Sequence, residues 1–570
     1  MKLARVVLSV LAFLASASAI DRNAFTFTRY DLNVRIEPEQ QRIGVRGTIS
    51  LRNRSASPQK LAVLQVSSSL DWRSIQSGGK PLQFVSQPYT SDIDHTGSLA
   101  EAIVTLLHPV APNGSVDLEF GYEGTVPLDT TRLKRIGVPD EEAKHTDWDQ
   151  ISSAFTSVRG VGHVAWYPVA MDAASLSDAN SVFETIGNWN AREAAASMRI
   201  NLCTLTSGEV PTALMNERVI GVPSGNSGLI ADGELTSCTE HLFNPIGIVI
   251  PSFDVGVFDR LDKPTLVIYY SRDHKSRADA YGTLVDKVAP FLQSWFGQTR
   301  QKTKVIELPD PAAAPFESGT TLLTPFSSDS KLAEITLAHQ IAHSMFISPR
   351  AWVDEGVPHF AQALWREHES GRQAALDYMG LHRTALADAE KLTSSQPDTA
   401  GQHALPNTVD EEFYRSKAMF VWWMLRDIIG DAGLKRALSA YDPEKDKNQA
   451  YVQNLLQSES KRNLAWLFDD WVYSDRGLPD FRVLSAYPRS LDSGAYMVTV
   501  TVENLGNAAA EVPITINMQE GEVTKRLQVG RKTTASIRIE APSAPVEVIV
   551  NDGSVPESDM SNNVFRLATK

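Results

Sequence analysis

After Leu14 the sequence has no apolar run long enough to cross a bilayer, so no membrane span is expected in the mature chain. Positive charge is in deficit: Lys and Arg total 54 against 68 Asp and Glu, a net charge of −14. Phosphate binding needs a basic surface, so this balance argues against a nucleic-acid partner. Cysteine is scarce. Cys203 and Cys238 stand alone, with no further ligand-bearing residues close enough in sequence to make them a metal pair. Both fall in strand-like segments, as one disulfide of an oxidising compartment or as two buried free thiols. There is no internal repeat and no low-complexity tract. What remains is ordinary globular material: 42% hydrophobic and 21% charged residues in 570, enough for large cores in several domains.

Lys2 and Arg5, the apolar run Val6–Leu14 and the small residues Ala17-Ser18-Ala19 have the order of a secretory signal peptide. Residues 1–19 are therefore expected to be removed and the chain exported, to a periplasm or the extracellular space. From 20 to 260 the pattern is mainly that of strands. Tyr30, Leu32, Val34 and Ile36 alternate with polar residues, and similar runs continue to about Val257. The period then lengthens. Ala278–Phe296, Leu332–Ser348, Val357–Glu369, Gln373–Leu392, Glu412–Ile429, Ala432–Tyr441 and Val452–Leu467 carry apolar residues at helical spacing, which predicts a mostly helical domain over 261–477. Past Leu478-Pro479-Asp480, short alternating runs such as Val498, Val500 and Val502 predict a small immunoglobulin-like β-sandwich over 478–570. The expected fold class is multidomain α+β.

The chemistry concentrates in Leu337-Ala338-His339-Gln340-Ile341-Ala342-His343 and Trp352-Val353-Asp354-Glu355-Gly356. Histidines four apart lie on one face of a helix, one turn from each other, where two imidazoles can hold one metal ion. A carboxylate from a second segment, Glu355, completes a three-ligand set that leaves a fourth position for water, the arrangement of catalytic zinc. The plainer alternative is a helix-face histidine pair hydrogen-bonded to nearby carboxylates. In the pattern H-E-x-x-H the glutamate is the general base; this chain has Gln340 there, and an amide cannot take a proton from water. His359, four residues past Glu355, is either a partner behind the ligands or an ordinary packing histidine. Glu334, six positions before Gln340, points elsewhere round the helix; Asp354 and Glu317 are the other carboxylates near enough to act as a displaced base.

The order of these features resembles the alanyl aminopeptidase and leukotriene-hydrolase family of zinc metallopeptidases, in the gluzincin group. In that family a β domain precedes a thermolysin-like, mostly helical catalytic domain. The resemblance implies zinc held by His339, His343 and Glu355, with Gln340 in the general-base position. Eleven residues separate His343 from Glu355, fewer than in the family. Pro315-Phe316-Glu317-Ser318-Gly319 stands where the family has G-x-M-E-N, which puts Glu317 in register with the carboxylate that binds a substrate's α-amine. Phe413-Tyr414-Arg415-Ser416-Lys417 stands near the family's Y-x-K-G, whose tyrosine stabilises the oxyanion. Tyr414 is the counterpart by type; if Lys417 is aligned, Arg415 takes the position. The implied function is an exported zinc metallopeptidase of aminopeptidase type, acting on peptide or protein substrates with an altered or weakened base. The alternative is an inactive relative that keeps zinc and cleft to bind peptides or proteins.

Overall fold

The computed structural model describes residues 20–178, 181–206, 208–217, 225–229, 235–326, 329–394 and 401–567. The expected signal peptide lies outside the described residues, as do parts of a short strand that Leu229-Ile230-Ala231 predicts and of a loop that the polar stretch 393–408 predicts.

The alternating run at Phe25–Glu37 is a strand whose buried residues include Phe27, Tyr30, Leu32, Val34 and Ile36. It pairs antiparallel with Arg42–Asn53 and parallel with Ser197–Thr206, inside a sheet of eight strands. A second sheet, Gln59–Ser67, Ser98–Val110 and Gln83–Thr90, supplies further residues to the same core. The parallel pairing needs a long crossover, and 159 residues separate the two strands in sequence. Cys203 and Cys238 face each other on neighbouring strands and are bridged, which decides between the two readings of the pair.

The mainly β pattern expected up to Val257 is not continuous. Three helices interrupt it: α1 (Thr131–Arg135), α2 (Asp140–Thr146) and α3 (Ser181–Glu193). In α3 only Val182, Trp189 and Glu193 are buried. So narrow a stripe carries little 3.6-residue periodicity, and the sequence signal was correspondingly weak.

Leu266–Tyr270 and Thr303–Glu307 are parallel neighbours joined through α4 (Lys275–Phe296). They belong to a five-stranded sheet whose far edge is Thr321–Thr324 followed by Phe316–Ser318. Behind this sheet lie α5 (Ser330–Met345), α6 (Ala351–Asp354), α7 (Gly356–Ser370), α8 (Arg372–Gly380), α9 (Arg383–Ser394), α10 (Ala418–Ala440) and α11 (Tyr451–Ser460). Asp329 caps α5 by accepting from the amides of Lys331 and Leu332 at 2.9 and 3.2 Å.

Several helix bounds differ from expectation for local reasons. Gln373–Leu392 is two helices, broken at Leu381-His382. Glu412–Lys417 is a wide π-type turn, and the regular helix begins only at Ala418. Within Ala418–Ala440 the expected break is present: Gly430, at φ 76° and ψ 158°, is non-helical, and two helices meet there at a kink. The helix expected to reach Leu467 stops at Ser460, where Lys461 turns left-handed at φ 58°.

The last segment folds as two antiparallel sheets of three and four strands whose buried valines and isoleucines join the same continuous core as α4–α11. Trp471 donates to the carbonyl of Ala509 at 2.7 Å. Arg372 ties Asp427 of α10 to Asp552 at 2.8 and 3.1 Å. Among the described residues no helix is long and apolar enough to cross a membrane.

Candidate metal centre

Every residue of α5 from Leu337 to Met345 is buried, so the two histidines sit inside the protein, within a helix covered on all sides. Their Nε2 atoms lie 3.1 Å apart. Glu355 follows the short turn α6 and opens α7. Each neighbour in its motif has a mechanical task. Trp352 stacks on Trp422 of α10 with ring centroids 5.5 Å apart. Asp354 accepts from the amide of Ser348 at 2.8 Å and closes the turn. Gly356 lets α7 approach α10, because a Cβ there would fall 2.6 Å from that of Ala418. Thus held, Glu355 puts Oε1 3.7 Å from His343 Nε2 and Oε2 3.7 Å from His339 Nε2. Replacing Gly356 by Ala is expected to cost about 1–3 kcal/mol by overpacking, read as a lower denaturation midpoint of the metal-free protein.

Glu317 is the nearest carboxylate to the pair: its Oε1 lies 3.4 Å from His339 Nε2. Glu317, His339 and His343 form one trio, and His339, Glu355 and His359 another, in which the ligand atoms all lie within 4.8 Å of one another. His359 is thus closer to the centre than its sequence position required, with its ring centroid 4.6 Å from that of His339. The one available signal was its place four residues after Glu355, on the same helical face.

Burial, and then His343, pushes His339 down to about 3. Burial and His339 push His359 well below the usual imidazole range. At neutral pH both are neutral, with a lone pair free for a metal. Glu317, though 26% of its side chain is exposed, is pushed well above the carboxylate range by burial and by the charge of Glu355. Two carboxylates crowd one place, and a cation between them would relieve both.

Gln340 is fully buried, and neither atom of its amide has a hydrogen-bond partner among the described residues. Glu334 is turned away, toward Lys287 at 2.9 Å and Trp365 at 3.3 Å. Tyr414 and Arg415 both line the cleft. It is Arg415 that reaches Glu355, with Nε 3.4 Å from Glu355 Oε2 and Nη1 2.7 Å from Glu411 Oε2. Burial opposes the charge of Arg415, but Glu411 and Glu355 more than offset it. Burial raises the Tyr414 phenol well above its ordinary range, against the lowering effect of Arg415.

The centre opens on a cleft of about 570 Å³. Across it stand Leu133, Val182, Phe183, Ile186 and Ile250 from the preceding β-rich part. Phe183 is 57% exposed, and sequence reasoning missed it together with α3. A second acidic cluster with a histidine, Asp147, Asp149 and His163, is already charge-paired: Arg132 holds Asp147 and Arg159 holds Asp149, each at 2.6 Å.

The donor set fits zinc. Ligands about 2.0–2.1 Å from one tetrahedral ion stand about 3.3–3.4 Å from each other, and the separations here are 3.1, 3.4 and 3.7 Å. Two imidazoles with carboxylates are also the ligand types zinc takes.

No family model matches the chain, and no curated protein matches it. Solved structures do. The M1 zinc metallopeptidase from Deinococcus radiodurans is 16% identical, with a TM-score of 0.48; the match covers 80% of this chain and 96% of that one. A mutant form of the M1 zinc metallopeptidase from the same organism gives 15% identity, a TM-score of 0.49 and the same coverage. Similarity this distant leaves function to the side chains of the site.

Proposed function

We propose that the chain is an exported zinc metallopeptidase of aminopeptidase type whose general base is weakened. Its β domain (20–260), thermolysin-like domain (261–477) and immunoglobulin-like sandwich (478–570) would follow a cleaved leader (1–19). The observation that carries this reading is the placement of both oxygens of Glu355 at 3.7 Å, one from each imidazole of a helical pair. His339, His343 and Glu355 would hold the ion. A zinc ion bound there would polarise a scissile carbonyl and lower the pKa of water.

The chain's own groups supply the rest. The apolar wall around Phe183 excludes water from one side of the cleft. Glu317 offers a carboxylate to the ammonium of a peptide N-terminus. Tyr414, or Arg415 beside it, offers a donor where negative charge develops on the substrate. Gln340 cannot accept a proton, and a positioned base is worth about 10²–10⁴ in rate.

That loss favours a second reading, in which zinc and cleft are kept to bind peptides or proteins without turnover. The buried, unpartnered amide of Gln340 is the observation behind it. Zinc content and turnover of fluorogenic aminoacyl amides separate the two. We expect about one zinc per chain, lost on Glu355→Ala. Cleavage by the unmodified protein that disappears in the same variant supports the enzyme; zinc without cleavage supports the binding module; a chain that takes up no zinc defeats both.

A further inference from the structure

Across the cleft from the metal centre, α3 turns one face inward. Phe183, Ile186, Gly187 and Asn190 follow one another at i, i+3, i+4 and i+7, so they share a side of the helix, and all four line the cleft. Phe183 is 57% exposed, although its neighbour Val182 is buried. An aromatic ring left in water on the wall of a concave site is apolar area that a ligand can cover. Leu133, Leu176 and Ile250 extend the same surface.

Packing at two adjacent positions holds α3 in place. Gly162, at φ +97°, lies against Ile186: a Cβ there would fall 3.0 Å from Ile186 Cδ1. Gly187 meets Val409, from the helical part of the chain, and a Cβ at 187 would fall 2.8 Å from both the Cβ and the carbonyl oxygen of Val409. The helix thus touches the β-rich part through Ile186 and the helical part through Gly187. Phe183, one turn earlier on the same face, is set by that packing.

Charge divides the cleft in two. On the metal side stand Glu317, Glu355, Glu411 and Arg415, whereas no carboxylate lines the cleft among the described residues before 261. Arg132, the one arginine on that wall, is committed. Its Nε and Nη2 donate to the carboxylate of Asp147 at 2.7 and 2.6 Å, and its Nη1 to the carbonyl of Asp92 at 2.7 Å. Burial and then Arg159 push His163 down to about 4, so it carries no charge at neutral pH. A lysine side chain laid on this wall would meet no carboxylate, and an aspartate no free cation; either would give up water without a replacement. A leucine or phenylalanine side chain gives up nothing polar and covers Phe183.

We infer that Phe183, with Ile186 beside it, selects the first residue of the substrate, so that the cleft takes peptides beginning with a large aliphatic or aromatic side chain and rejects those beginning with a charged one. The inference rests on the reading above, in which the centre holds zinc and Glu317 takes the α-amine. Glu317 and His339 are 3.4 Å apart, so the ammonium and the scissile carbonyl of one residue are both held on the metal side. The side chain branching between them is the part left to reach the opposite wall. Phe183 touches no reacting atom; it sets specificity.

The test uses the zinc-loaded full chain and the hydroxamates of leucine, phenylalanine, alanine, lysine and aspartate. A hydroxamate chelates zinc and is not a peptide, so its affinity is read by titration calorimetry whether or not the chain turns substrate over. The leucine and phenylalanine compounds are expected to bind about 10–100-fold more tightly than alanine hydroxamate. The lysine and aspartate compounds should bind no more tightly than alanine's. Phe183→Ala is expected to cost leucine and phenylalanine hydroxamates about tenfold and to leave alanine hydroxamate within about threefold. A change that spares the smallest side chain separates specificity from a general disturbance of the site.

Affinities that all lie within about threefold of one another overturn the inference. So does tightest binding of the lysine or aspartate compound, a zinc-loaded chain that binds none of them, or a Phe183→Ala variant that weakens all alike or none. In each of these cases zinc bound by the unmodified chain and lost on Glu355→Ala leaves the metal reading standing. If the unmodified chain takes up no zinc, both fall. Circular dichroism checks folding of the variant. Should Phe183→Ala not fold, Phe183→Gln, which keeps length without the apolar ring, gives the same comparison.

Discussion

Gln340→Glu is expected to raise the hydrolysis of aminoacyl amides by about 10²–10⁴-fold over the unmodified chain. The missing proton acceptor is at Gln340, whose amide is buried and makes no hydrogen bond among the described residues. Without a base there, only the activation that metal binding would bring remains. In energy the gain amounts to about 2.7–5.4 kcal/mol off the barrier. The measurement is kcat/KM of the zinc-loaded unmodified chain and of Gln340→Glu on one fluorogenic substrate. A variant no faster than the unmodified chain would mean that residue 340 does not face the substrate.

Much of this centre was legible in the sequence because its parts are local. The four-residue spacing of His339 and His343 dictates that they share a helical face. Trp352, Asp354 and Gly356 each need only neighbouring turns and α10 to explain them, whatever the length of the gap after His343. The rest depends on how distant pieces fold over one another. That Glu317 lies near α5 follows from an edge strand doubling back at Gly319, and distance along the chain says nothing about the final few ångströms.

The ambiguity between Tyr414 and Arg415 also has a physical origin. Glu412–Lys417 is a π-type turn, and the wider winding shifts which side chain faces inward by about one residue relative to an α-helix. Residue type points to Tyr414 and alignment on Lys417 points to Arg415; it is Arg415 that reaches Glu355. The helix α3 went unread because only a thin line of its residues is buried. With it went the apolar wall of the cleft, so the chemistry of the metal side was visible in advance and the shape of the opposite side was not.

His343→Ala is expected to weaken zinc by about 10²–10³-fold, the share of one coordination position in four if the 10–16 kcal/mol of a zinc site is divided evenly. The consequence for stability follows by linkage. Zinc at about a thousand times the unmodified chain's Kd should raise its unfolding free energy by about 4 kcal/mol. At the same concentration the variant, with its weaker site, should gain only about 0.4–1.4 kcal/mol. Metal-free, both proteins should fold alike in outline, because α5 is buried from Leu337 to Met345 and capped at Asp329. The distinction is therefore between a ligand and a core histidine. If His343 serves only packing and its 3.1 Å contact with His339, the variant loses stability equally with and without zinc, and the two denaturation curves shift together. If it binds the metal, only the curve recorded in zinc moves far.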